Sequence, residues 1–190
     1  ERRIASIEDL KKWLLDRSEL NAVIEEEFAW RYIRMNIDTT NKVFQEDFQY
    51  VVEEINPKIA PLENVLNKKL SDSSFKNELK GNGYSILLKK LENQLSLFRE
   101  DNIPLFTKLE AKSQEFGSIS AGMTIKYNEE EYTLQAAAKF LKSTDRTIRK
   151  ETFDLIQNRR EKEKSVLNNL FDELIDLRQQ VATNAGFDNY

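Results

Sequence analysis

Histidine and cysteine are both missing from the 190 residues, so the chemistry open to this chain must come from carboxylates, lysine, arginine and hydroxyl groups. Imidazole and thiolate, the usual ligands of catalytic and structural zinc, are not on offer, and neither are thiol nucleophiles or disulfides. Two acidic runs, Glu25-Glu26-Glu27 and Glu129-Glu130-Glu131, carry oxygen donors. Neighbours in a helix point apart, however, and no Asp spacing punctuated by Gly forms an EF-hand loop. These runs read as solvated faces. Gly81-Asn82-Gly83 precedes an apolar helical pattern but lacks the further glycine, the lysine and the preceding strand of a phosphate loop, so it reads as a turn. Serine and lysine are abundant enough for a Ser–Lys pair, but no Gly-x-Ser-x-Gly elbow accompanies them. Lys139, Lys142, Arg146, Arg149, Lys150, Arg159 and Arg160 are interrupted by Glu151, Glu161 and Glu163. That alternation reads as helix-face ion pairing rather than an anion or nucleic-acid site. No catalytic, cofactor-binding or metal-ligating position is therefore assigned.

Composition narrows the partners. With 33 acidic and 29 basic residues the net charge is −4, and nucleic acid, which needs clustered Lys and Arg, is not an expected ligand. Hydrophobic residues make up 39% and charged ones 33%, a balance suited to amphipathic helices with narrow apolar stripes. Apolar runs stay far short of the roughly 20 residues of a membrane span, so no membrane partner is expected. No secretory leader follows Glu1-Arg2-Arg3, and no Asn-x-Ser/Thr sequon occurs. The expected location is cytoplasmic.

Five glycines and three prolines argue for long helices with short joints. Ser6 caps the first, with Asp9 as a short capping-box acid. Asp16-Arg17-Ser18-Glu19 is expected to kink or restart the chain before a stripe at Leu20, Ile24, Phe28, Tyr32 and Met35. Asp38-Thr39-Thr40-Asn41 supplies caps. The helix through Phe44, Phe48, Val51, Val52 and Ile55 is expected to end at Pro57. Another resumes near Pro61 with Leu62, Val65, Leu66 and Leu70 on one apolar face. A short helical piece lies between Ser71 and Gly81. Tyr84, Leu87, Leu88, Leu91, Leu95 and Phe98 form the next stripe, Glu100-Asp101-Asn102 a loop, and Pro104 opens a helix through Leu105, Leu109 and Phe116. Met123, Ile125 and Tyr127 then alternate as a strand that Tyr132-Thr133 can pair with. Thr133 or a neighbour caps a helix over Leu134 to Leu141. Asp145 is placed in the first turn of a last helix, whose Leu167, Leu170, Leu174, Leu177 and Val181 step by three and four. Gly186 stops it as a left-handed C′ residue. The fold class is all-α, a multi-helix lobe with one small β-hairpin near 122–133. Residues 1–116 form an N-terminal helical lobe, and 117–190 a hairpin with helices leading onward.

The order of several segments carries more than any one of them. Trp13-Leu14-Leu15 with Ser18-Glu19-Leu20, Asp38-Thr39-Thr40, Glu53-Glu54-Ile55-Asn56-Pro57 and Asn102-Ile103-Pro104-Leu105 are followed by the hairpin from Met123 into Thr133-Leu134-Gln135-Ala136-Ala137. Asp145-Arg146-Thr147-Ile148-Arg149, Asn158-Arg159-Arg160, and Leu177 to Ala182 into Asn184-Ala185-Gly186-Phe187 come after it. In this order the chain resembles the oligoendopeptidase F-like branch of the thimet-type zinc metallopeptidases. The last stretch is the most specific.

The resemblance implies a mostly helical peptidase with a deep internal channel, whose N-terminal lobe forms one wall and admits only short, unfolded peptides. It implies zinc held by two His and one Glu, polarising the scissile carbonyl and activating a water, with the Glu of His-Glu-x-x-His as general base. None of those groups maps onto this sequence. The expectation is therefore the non-catalytic front of the enzyme, ending before the metal site, with the missing catalytic domain as partner and zinc in the parent only. The hairpin from Met123 to Thr133 is expected to face the channel. A family-like glycine in its turn is replaced by Glu129 or Glu130, which leaves Asn128 best able to supply positive φ. The competing expectation is a stand-alone helical binding or scaffold protein.

Overall fold

A computed structural model describes residues 3–190, apart from the side chain of Asn82. The chain is all-α with one two-stranded antiparallel sheet. In order it runs α1 (Ile7–Ile37), α2 (Lys42–Tyr50), a π turn (Val51–Ile55), α3 (Asn56–Ser71), α4 (Asn82–Leu97), α5 (Ile103–Ala121), β1 (Thr124–Tyr127), β2 (Glu130–Thr133), α6 (Leu134–Ala137) and α7 (Arg146–Ala185). Short 3₁₀ turns at Lys76–Glu78, Glu100–Asn102 and Phe140–Lys142 bridge the joints. Two compact units are built from these elements. The first comprises residues up to Thr107 with Gln180–Tyr190, and the second Lys108–Gln179.

Local chemistry sets most element ends. Ser6 Oγ accepts from Asp9 N–H at 3.1 Å, and Asp9 Oδ2 accepts in return from Ala5 N–H at 3.1 Å. This is a capping box whose acid reaches one residue further back than usual. Asn41 Oδ1 accepts from Val43 and Phe44 N–H to start α2, and Thr133 Oγ1 accepts from Ala136 N–H to start α6.

Several expectations are corrected. No break occurs at Asp16–Glu19, because α1 runs unbroken for 31 residues. These residues include neither Gly nor Pro, and Arg17 is tied down by packing. Its guanidinium donates to Asn67 Oδ1 at 2.8 Å and lies 5.9 Å from the Trp13 ring centroid. Pro57 does not end its helix. The chain widens at Val51–Ile55 so that Asn56 N–H bonds the carbonyl of Val51, five residues back. Opening the spiral relieves the crowding a proline ring imposes on the preceding turn, and α3 then continues through Pro61. The inward face of α3 is Asn64, Asn67 and Leu70, with Leu66 beside them, whereas Leu62 (64% exposed) and Val65 (60%) face solvent. The buried amide of Asn67 takes an apolar position because Arg17 and Gln94 supply its partners. Glu100–Asn102 is a 3₁₀ turn holding a buried Asn102, not an open loop. The helix expected to Leu141 stops at Ala137, and the following turns bring Phe140 back onto the hairpin. Asp145 lies just outside α7, where its Oδ1 accepts from Thr147 N–H at 2.7 Å.

The first unit's core joins Leu10 and Trp13 of α1 to Leu70, Leu79 and Leu91. Truncating a fully buried leucine such as Leu10 or Leu70 costs about 2–5 kcal/mol. The second unit's core joins Met123 and Ile125 of the hairpin to Leu134, Ala137 and Ile156. A lone hairpin is marginal in water, and this one is held by that helical support.

Candidate functional site

Strand alternation fixes what the hairpin presents. Met123 and Ile125 point into the second unit's core, and Tyr127, two residues on, continues the same face beyond it. The register pairs Thr124 with Thr133, Ile125 with Tyr132, Lys126 with Glu131 and Tyr127 with Glu130. Only Asn128 and Glu129 remain for the turn, with φ of 52° and 67°. Two left-handed residues are what a two-residue type I′ hairpin demands. Asn128 supplies positive φ as its residue type allows, and Glu129 is forced into the same region.

The turn after α6 completes an aromatic cluster. Phe140 lies 4.8 Å from Tyr127 and 5.2 Å from Tyr132 between ring centroids, the second pair edge-on at 83°. The Lys139 ammonium sits 4.6 Å from the Tyr132 centroid and 4.8 Å from that of Phe140. The Tyr132 hydroxyl donates to Glu130 Oε2. That bond, helped by slight desolvation and the carboxylate charge, pushes the phenol above its ordinary pKa. Thr124 Oγ1 donates to Glu131 Oε1 at 2.6 Å across the strands. The result is a partly exposed aromatic cluster with Glu130 at its rim.

A second constellation lies in the first unit, at the end of α7. A helix leaves its last four carbonyls without intrahelical partners, and here each finds a donor. Phe187 N–H bonds Ala182 O and Gly186 N–H bonds Thr183 O, both at 3.0 Å. With Gly186 at φ 90°, this is the expected glycine stop in its Schellman form. Arg99 covers the other two, Nε to Asn184 O at 3.0 Å and Nη2 to Ala185 O at 3.1 Å. Its Nη1 also reaches Ser96 O and Phe98 O at the end of α4. One guanidinium thus stands between two helix C-termini, where the helix dipoles favour a cation. Asn102, 1% exposed, donates to Val181 O at 3.0 Å and accepts from Asn184 Nδ2 at 2.7 Å. Two segments that carried the sequence resemblance, Asn102–Leu105 and Asn184–Phe187, therefore meet directly. Arg99 was missed by sequence reasoning, since nothing local marks a lone arginine as a cap for a helix end about 85 residues away.

The other sequence candidates stay apart. Glu26 accepts from the Trp30 indole and Glu27 pairs with Arg31, while Glu129, Glu130 and Glu131 spread around the hairpin turn. In the basic stretch, Lys150 pairs with Asp154 and Arg159 with Glu163, each at 2.6 Å. Arg149 instead donates to Ser143 O and Thr144 O. Gly81, at φ 121°, opens α4 as a turn residue. Among the described residues no group of three or more His, Cys, Asp or Glu is arranged to hold a metal. With no imidazole or thiolate in the sequence, this chain's donor set does not fit a catalytic zinc. Nor is any helix among the described residues long and apolar enough to cross a membrane.

Against this geometry the relationships are specific. PZ peptidase A, solved with an inhibitor, matches 97% of this chain at 22% identity and a TM-score of 0.90. A protein assigned as oligoendopeptidase F from Bacillus anthracis strain Ames matches 97% at 21% identity and a TM-score of 0.89. A further protein assigned as oligoendopeptidase F matches 98% at 24% identity and a TM-score of 0.90. The chain spans about a third of the length of each, between 33% and 34%. No curated protein sequence matches it. The family model described as Peptidase M3 N-terminal domain matches residues 2–98, slightly more than half of the sequence. On that match, and with the fold in agreement over nearly its whole length, the chain belongs to the family of Peptidase M3 N-terminal domains.

Proposed function

We propose that this chain is the non-catalytic lobe of a cytoplasmic, zinc-dependent oligoendopeptidase, and that it limits access to a channel in which the parent enzyme hydrolyses short peptides. Residues 1–116 would be the helical lobe, and 117–190 the hairpin and helices that lead into the catalytic domain. The observation that carries the reading is the near-complete match of this chain to one third of each solved peptidase chain, within a family defined by its N-terminal position. Zinc would be held outside these residues, because the donors required are not among them. The chain's own contribution would be shape: a wall that carries the hairpin, and an α7 end fixed by Arg99 and Asn102 so that the following domain leaves in one direction.

The test is the natural reading frame followed by its product. The frame should continue past Tyr190 into His-Glu-x-x-His and a downstream glutamate. The zinc-loaded full-length protein should cleave short unstructured peptides and spare longer ones and folded proteins. A frame lacking those ligands overturns the proposal in favour of a helical binding protein, and a full-length peptidase indifferent to substrate length overturns the role of this lobe in limiting access.

A further inference from the structure

We infer that Tyr132 and Phe140, with Tyr127 packed on Phe140, form a cage for an alkylammonium group of a peptide, and that Lys139 occupies it as an internal stand-in. Three rings pack together here, Phe140 of the turn after α6 lying 5.2 Å from Tyr132 of β2, edge-on, and 4.8 Å from Tyr127 of β1. The ammonium of Lys139 lies within 5 Å of two of them, inside the range at which a cation is attracted by a ring quadrupole. The cage therefore already holds the chemical group it would take from outside. Lys139 is exposed and enters from the end of a flexible four-carbon stem, so an incoming cation displaces a tether rather than a buried ion pair. Glu130, bonded to the Tyr132 hydroxyl, adds negative charge at the rim and holds that ring in place. The backbone beneath is pinned by Ile125, Leu134 and Ala137 in the core, so the rings are set before any ligand arrives.

Only the carrier of the ammonium, a peptide, rests on the peptidase reading. Small cations test the cage itself. The ring resonances of Tyr127 and Tyr132 in the 190-residue chain would be followed by NMR during titration with tetramethylammonium, and with tert-butanol as its neutral counterpart. Nα-acetyl-lysine amide and alanine amide separate a side-chain ammonium from a free N-terminus. The expected result is weak saturable binding of the cations and none of tert-butanol. Lys139→Gln should tighten binding on the order of threefold to tenfold, Tyr132→Phe should retain it, and Tyr132→Leu and Phe140→Leu should abolish it. Having two leucine variants allows for one that fails to fold. Preference for either amide identifies the source of the ammonium. Equal response to tert-butanol, or no tightening in Lys139→Gln, overturns the cage. Cation binding by a chain whose parent cleaves no peptide leaves the cage standing and removes only the peptide.

Discussion

Glu129 holds φ at 67° in the second position of a two-residue turn, a conformation that costs an L-residue with a Cβ roughly 1–2 kcal/mol. Glycine adopts it freely, and Asn-Gly is the preferred pair for this turn type. Glu129→Gly should therefore stabilise the chain by about 1 kcal/mol, seen as a higher denaturant midpoint with an unchanged slope. A drop in stability would mean that the Glu129 side chain makes a contact worth more than the strain. Thr152 presents the opposite problem. It is fully buried, and its Oγ1 has no hydrogen-bond partner, so a hydroxyl has been desolvated without compensation. Thr152→Val keeps the branched shape on α7 and removes the orphan group. It should raise stability by about 1 kcal/mol in the same measurement; a loss of that size would show that the hydroxyl is satisfied in solution. The sequence left the family-like glycine position open between Glu129 and Glu130, and it did not mark out Thr152. The turn could be placed between Tyr127 and Tyr132, but its length, and so the need for two left-handed residues, follows from the register. A buried threonine looks no different in sequence from an exposed one.

At the scale of elements, what could be read from the sequence was what is decided within one turn of chain. The caps at Ser6, Asn41 and Thr133, the glycine stop at Gly186 and the period-2 stretch from Met123 to Tyr127 all depend on neighbours a few residues away, and all lie where the pattern put them. The failures have a common cause in distant partners. Asp16–Glu19 looked like a break because these residues favour caps and turns, yet α1 is held straight at Arg17 by Asn67, 50 residues away. The same amide donates to Gln94 Oε1 at 3.4 Å, which is how a polar residue came to occupy the inward face assigned to Leu62 and Val65. Arg17→Ala should accordingly cost about 2 kcal/mol, because it leaves the buried Asn67 carbonyl short of a charged donor. Arg17→Lys should recover only part of that, since an ammonium lacks the planar fork that meets both the amide and the Trp13 face. Thermal melts of the two variants decide this. Indistinguishable melts for wild type and Arg17→Ala would mean that α1 does not depend on the tie.

At the scale of the whole molecule, the informative surface is apolar and helical. Phe153 and Phe171 of α7 are about five turns apart, hence on the same side of the helix, and Ile175 lies one turn beyond. All three are exposed, by 52%, 58% and 47%. In the other unit, α1 exposes Val23, Trp30, Ile33 and Ile37 along one flank, with Ile37 at 78%, while Leu10 and Trp13 face the core. A chain with apolar residues on opposite sides of a helix has a second surface to cover. The proposed role as one lobe of a larger peptidase supplies a reason for it, which a self-sufficient scaffold does not. If the role is right, the isolated chain should bind a hydrophobic dye and self-associate as its concentration rises. Phe171→Lys with Ile175→Lys should weaken both effects. Because the two side chains are largely solvated in this chain, the double variant should leave stability within about 0.5 kcal/mol per site. Sedimentation, dye fluorescence and a melt on the same samples separate the possibilities. Self-association that falls without a loss of stability places the sticky surface on α7. Association that persists moves the surface to α1, where Trp30→Lys becomes the corresponding variant. A chain that stays monomeric and dark with dye at high concentration has no face awaiting a partner, and the stand-alone binding protein would then be the better account of the same fold.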